Sequence, residues 1–467
     1  MSQVAPHNPP FVTLQNVTAD LVAAIETPNA AGIAAAIGRL ISAGDLPVGT
    51  RLPTVRELAR ALEVSPTTVS EAWRTLASVG AIEARGRNGT YVRQVPGPGT
   101  AQRYRRVTEG PGRFALDLST GTPDPALLPD LGPVIARVSR HDLTSSYLDR
   151  PVLPDLEDRL RDRWPFPPGS LTVVDGAMDA IDRVAREVVR LGDRVVVEHP
   201  TFPPVVDLLE QLGAEVVGVG LDDEGPVVAE LEGALALDPS VVFLQPRAQN
   251  PTGIAISERR AKALAGLLAP GRAIIVEDDH AGDVASSPLV SLGRWLPERT
   301  VHVRSFSKSH GPDLRLAAVG GAADVIDAAT TRRLLGPGWS SRILQAVLVA
   351  LLDDPTAIAA IDAAREAYAA RRARFATAMA AHDLSVGGCD GINQWVPVPD
   401  ERAAVVTLAA QGVGVAPGQP FRVRPDADHL RITTGLVAGG AAALDALADQ
   451  VADAARSADG AWTNRRR

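Results

Sequence analysis

Residues Arg304–Leu316 read RSFSKSHGPDLRL, and Lys308 at their centre is one of two lysines in a chain of 467 residues, the other being Lys262. Basic charge is otherwise carried by arginine. A lysine that arginine could replace without cost would tend to be lost against such a background, so one kept here points to chemistry that arginine lacks. A neutral lysine amine attacks an aldehyde and forms a Schiff base; a guanidinium stays charged. The flanking sequence says where this lysine sits. Arg194–His199 (RVVVEH), Val241–Pro246 (VVFLQP), Ala273–Asp279 (AIIVEDD) and Val301–Phe306 (VHVRSF) are short, apolar and β-branched. That is expected of strands covered on both faces in a parallel sheet. Helical stretches such as Ser257–Leu268 separate them. The pattern predicts a three-layer αβα domain of the α/β class.

Open α/β sheets place ligands at the C-terminal ends of their strands. Those ends carry the groups needed by one aldehyde cofactor, pyridoxal 5'-phosphate (PLP). Asp278 ends AIIVEDD and can hold a ring nitrogen protonated. Asn250 opens NPTG after VVFLQP and can reach a ring hydroxyl. Ser305 and Arg315 flank Lys308 as hydroxyl and guanidinium partners for a phosphate. The turn Asp175-Gly176-Ala177-Met178 opens a helix whose first amides form an anion site. Phe202, in HPTFPP, can stack on the ring. Each signal is weak alone: NPTG is often a plain turn, Ser-x-x-Lys is common, and an acid near a strand end is usually structural. Their order, one βαβ unit or so apart, makes the set specific.

The bulk properties bound the function. Hydrophobic residues at 45% and charged residues at 22% suit a globular protein, long enough for two to four domains. The single cysteine, Cys389, excludes an intramolecular disulfide framework and a cysteine-based zinc cluster. No metal site is expected, and a reducing cytoplasm is the expected compartment. MSQVAPHNPPFVTLQ lacks the basic-then-apolar order of a signal peptide. No apolar run approaches the roughly 20 residues that span a bilayer. The net charge of −8 hides an asymmetry: Ala30–Arg113 holds twelve Arg against six Asp and Glu, +6, leaving −14 for the rest. A basic module on an acidic body fits a polyanion partner as well as it fits a solvated charged face.

Residues 1–29, punctuated by Pro and Asn, read as an arm. Ala30–Ala43 is an amphipathic helix with Ile33, Ile37, Leu40 and Ile41 on one side. Thr54 starts a short helix, Val64-Ser65 is a tight connection, and Pro66 suits the first turn of the next helix. This is a helix-turn-helix, presenting Ser65, Thr67, Thr68 and Ser70 near the N-terminal end of its second helix, where base edges and phosphates are met. Residues 81–93 alternate as a hairpin with Arg85, Arg87 and Gly89 at its tip. The domain is expected over 30–94. Residues 95–113, rich in Gly, Pro and Arg, read as an extended linker. The tail, 457–467, is expected to be disordered.

With its blocks RLPTVRELA and VSPTTVSEAWRTL, the N-terminal module resembles the winged helix-turn-helix of the GntR family. The resemblance implies DNA contacts from Arg51, Arg56, Thr67, Ser70 and the wing around Gly89. Some family members have arginine where Pro66 and Ser70 stand here. On QPRAQNPTG, VEDDHAGD and RSFSKSHGPDLRL, the remainder resembles fold-type I aminotransferases, and the whole chain the MocR-type transcription regulators. This implies a large PLP domain over 114–335 and a smaller C-terminal α/β domain over 336–456. It makes Lys308 the Schiff-base lysine, Asp278 the pyridinium partner and Asn250 the partner of the ring hydroxyl. It also implies a head-to-tail homodimer in which Tyr147 reaches the partner's phosphate, and an arginine, Arg431 in HLRITTG, that pairs with an α-carboxylate. Two departures stand out. Asp175 and Met178 replace polar partners at the phosphate turn, which predicts weaker cofactor binding, and His280 stands where many members have tyrosine. The implied function is a regulator that binds operator DNA and senses an amino acid or amine by transaldimination at Lys308. An aminotransferase with a DNA-binding appendage, and a regulator whose cofactor domain has lost PLP, are the alternatives.

Overall fold

The computed structural model describes residues 14–25, 27–43, 45–47, 49–78, 82–84, 89–92, 103, 114–138 and 150–463. The chain divides into two compact units, Met1–Thr100 and Ala101–Arg467.

In the first unit, α1 (Leu14–Ala24), α2 (Ala30–Ala43), α3 (Val55–Ala61) and α4 (Pro66–Ser78) precede a hairpin of β1 (Ile82–Ala84) and β2 (Thr90–Val92). Residues 14–24 are therefore a helix and not part of an arm. Val17, Leu21 and Ile25, four residues apart, form a buried stripe in one core with Ile33, Ile37, Leu58 and Val69. Such spacing is a helical signal that the surrounding prolines and asparagines mask. Two caps set the short elements. Thr54 and Glu57 form a reciprocal capping box at α3. Ser65 Oγ accepts the Thr68 N–H at 3.1 Å at the start of α4.

The second unit is built on an eight-stranded sheet. Its strands are β3 (Ser170–Val174), β4 (Arg194–His199), β5 (Glu215–Asp222), β6 (Gly225–Pro226), β7 (Val241–Leu244), β8 (Ile274–Asp279), β9 (Thr300–Ser305) and β10 (Ala317–Gly321), and they lie in the order β3-β10-β9-β8-β7-β4-β5-β6. β9, β8, β7, β4 and β5 pair in parallel, β6 runs antiparallel to β5, and β10 runs antiparallel to both neighbours. Alternation along the strands fills both faces. Val195, Val197, Phe243 and Val276 point into one core with α5 (Ala177–Val188). Val196, Val242, Leu244 and Ile275 point into the other, with α7 (Glu258–Leu268); α6 is Pro203–Gln211. The expectation of a mostly parallel, doubly covered sheet holds.

A smaller antiparallel sheet pairs β11 (Gln394–Pro397) with β13 (His429–Ile432) and β13 with β12 (Ala416–Pro417). The two lobes do not part cleanly at residue 335. Leu116–Asp117 pairs with Val413–Gly414, and Leu118 lies in the small lobe's core. Conversely, the helix Arg342–Asp353 packs in a large-lobe cluster with Leu156, Trp164 and Phe306.

Candidate functional site

The sheet register assembles the site. Val303 pairs with Asp278, Ser305 with Ala317, and Ala317 with Val174. The residues that follow β3, β8 and β9 therefore share one edge, with the loops after β4 and β7 beside them. Lys308, three residues beyond β9, is half-buried, and its Nζ lies 2.9 Å from His280 Nδ1. His280 Nε2 lies 2.8 Å from the Ala248 carbonyl, which can only accept. Nε2 therefore carries the ring proton and Nδ1 accepts from the lysine. Both ring nitrogens are thus engaged, so His280 has no spare N–H for a ring hydroxyl. Burial, then the charge of Lys308, pushes His280 down to about 3.

Burial lowers the Lys308 amine to about 8 despite the opposing pull of Asp278, which leaves roughly a tenth of it neutral at pH 7. Burial raises Asp278 to about 6, with a hydrogen bond from Gln245 and the charge of Lys308 working against it. Asp278 Oδ2 accepts from Gln245 Nε2 at 2.8 Å, while Oδ1 is buried without a partner among the described residues. Asn250 Oδ1 is likewise buried and unpartnered. Isolated buried acceptors are costly, and two linked through one glutamine, one of them within electrostatic reach of Lys308, fit a polar ring. The neighbouring carboxylate, Asp279, is fully engaged: against the upward push of burial, Arg247 grips both its oxygens at 2.8 Å and holds it at about 2.

The anion turn lies past β3. Gly176 has φ 104° at the start of α5, and a Cβ there would stand 3.1 Å from Arg315 Nη2. Glycine thus leaves room for the guanidinium beside the turn. Arg315 Nη2 donates to the Asp175 carbonyl at 3.0 Å. Ser305 is buried at the same edge, its Oγ accepting from the Ser307 N–H at 3.3 Å. Met178 and Phe202, both partly buried, pack against the core that includes α5. The Asp175 carboxylate, an expected source of repulsion, accepts from Arg333 Nη2 at 2.9 Å. Arg333, buried, also donates to Val173 O and Ser340 Oγ. The acid's charge is thus paired with a buried guanidinium. Arg431 is buried on β13, donates to the Ser119 carbonyl and lies 5.1 Å from the Phe421 ring centroid. Its charge reaches Lys308 and lowers that amine further.

The residues present fit PLP: a depressed lysine, an acid with one free oxygen, an amide with one free end, and an anion turn with an arginine. Sequence reasoning missed Gln245, Glu198, Gln249 and Arg333. The first and third were visible inside QPRAQNPTG as polar residues at a strand end. Arg333 ends the helix Ala323–Arg333 and gives no local signal. Tyr147 lies outside the described residues.

In the first unit, Arg51, Arg56 and Thr67 are exposed. Ser65 and Thr68 lie with their hydroxyls 2.9 Å apart, so the helix cap engages both. Ser70 is partly exposed. Gly89, φ 100°, lies against the Arg51 guanidinium, where a Cβ would stand 2.9 Å from Nε. Arg85 and Arg87 fall outside the described residues.

Comparison with known proteins identifies the family of each part of the chain. Residues 115–450 match the family aminotransferase class I and II, and residues 29–92 match the bacterial regulatory proteins of the gntR family. The chain is 38% identical over 403 residues, 84% of its length and 91% of the relative's, to the vitamin B6 salvage pathway transcriptional repressor PtsJ of Salmonella typhimurium. It is 28% identical over 428 residues, 82% and 87% of the two chains, to the HTH-type transcriptional regulator TauR of Rhodobacter capsulatus. Among solved structures, LysN, the α-aminoadipate aminotransferase of Thermus thermophilus complexed with N-(5'-phosphopyridoxyl)-L-leucine, superposes with TM-score 0.69 at 18% identity over 78% of this chain and 96% of that one. At that identity the likeness is one of fold.

Proposed function

The chain belongs to the aminotransferase class I and II family, joined to a gntR-family head, and from that premise we propose that it is a PLP-dependent transcription regulator reading an amino acid or amine at Lys308. The observation that carries this is a depressed Lys308 amine that acts electrostatically on Asp278, together with the buried unpartnered oxygens of Asp278 and Asn250, which Gln245 links. When bound, PLP supplies an aldehyde that primary amines condense with and a ring that withdraws electrons once its nitrogen is protonated. Asp278 Oδ1 would hold that proton, Asn250 would face the ring hydroxyl, and Gly176, Ala177, Met178, Ser305 and Arg315 would hold the phosphate. His280 orients the lysine by accepting its hydrogen. An effector amine would compete with Lys308 for the aldehyde that the cofactor supplies, and Arg431 would take its carboxylate.

Sensing must be joined to the head. Arg103, in the stretch that follows the first unit, donates to Asp207 and Glu210 of α6, at 3.1 and 2.8 Å, and to the Arg422 carbonyl of the small lobe at 2.9 Å. A ligand that changes the spacing of the lobes must strain or release this residue. That gives the coupling a physical basis, because a ligand shifts a conformation only through contacts that differ between states.

A head-to-tail homodimer accords with the exposed apolar side chains of Ile135, Leu334, Leu335 and Ile343. Among the described residues no single helix is long and apolar enough to cross a membrane, and a cytoplasmic site suits an operator-binding protein. The test is binding to the chain's own upstream DNA, with PLP and a panel of amines. Affinity that shifts with an amine only in PLP-loaded protein supports the reading. Affinity indifferent to both, with steady keto-acid formation from amino donors, supports an aminotransferase, with Lys308 as its proton carrier. The relative PtsJ is named for repression of vitamin B6 salvage, and because PLP is a form of that vitamin a second reading takes PLP itself as the signal; a full shift with PLP alone would select it.

A further inference from the structure

We propose that Gln245 is a positioning residue that ties the Asp278 carboxylate and the Asn250 loop into one unit, so that each presents a single free oxygen to the cofactor ring. The inference rests on the PLP reading above. Gln245 is buried just beyond β7 and uses both ends of its amide. Nε2 donates to Asp278 Oδ2 at 2.8 Å, and Oε1 accepts the Asn250 N–H at 2.7 Å. The reverse orientation would set oxygen against a carboxylate and NH2 against an N–H, so the two partners fix the amide. With Oδ2 occupied, Asp278 has Oδ1 left, and Asn250 keeps its Oδ1.

The amide is itself clamped from β4. Glu198 Oε1 accepts the Gln245 N–H at 3.1 Å, and Oε2 accepts from Gln249 Nε2 at 3.2 Å. Gln249 also donates to the Pro200 carbonyl and accepts from Thr252 Oγ1. The loops after β4 and β7 thus move as one piece with Asp278. The titratable groups acting on Asp278 are Lys308, Asp279, His302 and Glu198. Burial lifts Glu198 to about 8, so at neutral pH it is largely a neutral acid and Asp278 holds the negative charge of the two.

The test compares Gln245→Met and Gln245→Glu in the full chain. A protonated glutamic acid donates to Asp278 and accepts from Asn250 as glutamine does. An ionised one repels Asp278 and donates nothing. PLP affinity and the visible band of the bound cofactor are followed by absorbance titration from about pH 5.5 to 9.5, with thermal unfolding of each cofactor-free protein as a control. Gln245→Met is expected to weaken binding about tenfold to a hundredfold at every pH. Gln245→Glu is expected to bind within a few-fold of wild type at the acidic end and to lose affinity by that same factor as pH rises. If Gln245→Met does not fold, Gln245→Glu at the acidic end carries the test. A methionine variant that matches wild type, or a glutamate variant whose affinity and band follow the wild-type pH profile, overturns the proposal. A wild-type chain that takes up no PLP overturns the underlying reading instead, and this inference with it.

Discussion

Lys308→Met is expected to make the cofactor-free protein more stable at neutral pH. Burial lowers the lysine amine from its ordinary 10.5 to about 8. Each pH unit of such a difference corresponds to about 1.4 kcal/mol, so holding this amine charged in the folded state costs about 3–4 kcal/mol. The sign follows from proton counting. Between pH 8 and 10.5 the unfolded chain keeps a proton that the folded chain has released, so wild-type stability rises with pH across that window. The cost is fully present below pH 8 and gone above 10.5. Methionine keeps the aliphatic stem and removes the charge, but it leaves His280 Nδ1 without its donor at 2.9 Å, a loss of about 1 kcal/mol. The net gain at pH 7 is about 2–3 kcal/mol. It should shrink as pH climbs and turn into a small deficit near pH 10.5. Urea unfolding of the full cofactor-free chain, followed by tryptophan fluorescence at a series of pH values, measures this. A variant less stable than wild type at pH 7, or a gain that ignores pH, would refute the reasoning. A residue kept at a net cost to stability is kept for its chemistry, which is the reason to expect lysine and not arginine at this position.

Three further outcomes follow from particular contacts. Gly176→Ala forces a side chain into φ 104° and against Arg315 Nη2; a strain of about 1–2 kcal/mol and a roughly tenfold loss of PLP affinity are expected, and unchanged affinity in a fluorescence titration would remove Arg315 from the phosphate site. Asp175→Ala leaves the Arg333 guanidinium, 2% exposed, with neutral partners only, and should lower stability by about 1–3 kcal/mol in thermal unfolding. Arg56→Ala, at an exposed position on α3, should weaken operator binding and reduce the salt slope by about one while leaving the head's thermal unfolding unchanged; an unaltered slope would mean that Arg56 touches no phosphate.

What the sequence made legible is what lies within one strand and its following loop. Lys308, Asp278, Asn250 and the Gly176 turn each sit at the end of a recognisable apolar run, and a parallel sheet brings such ends together whatever the details of packing. Contacts set by packing between distant segments gave no local signal. Arg333 meets Asp175 across the edge of the sheet, and Leu116–Asp117 returns to pair with Val413–Gly414 in the other lobe. The role of His280 depends on which nitrogen faces the Ala248 carbonyl, and residue identity does not reveal that. The helix Leu14–Ala24 was legible in the spacing of Val17, Leu21 and Ile25, but prolines nearby suggested an arm.

The most direct test is chemical. PLP-treated full-length protein is reduced with borohydride, digested, and mapped by mass spectrometry. With Lys308 and Lys262 the only side-chain amines, the pyridoxyl group should appear on the peptide containing Lys308 and be absent from the one containing Lys262. A label on Lys262 or the N-terminal amine alone, or no label in protein that is otherwise folded, would contradict the account.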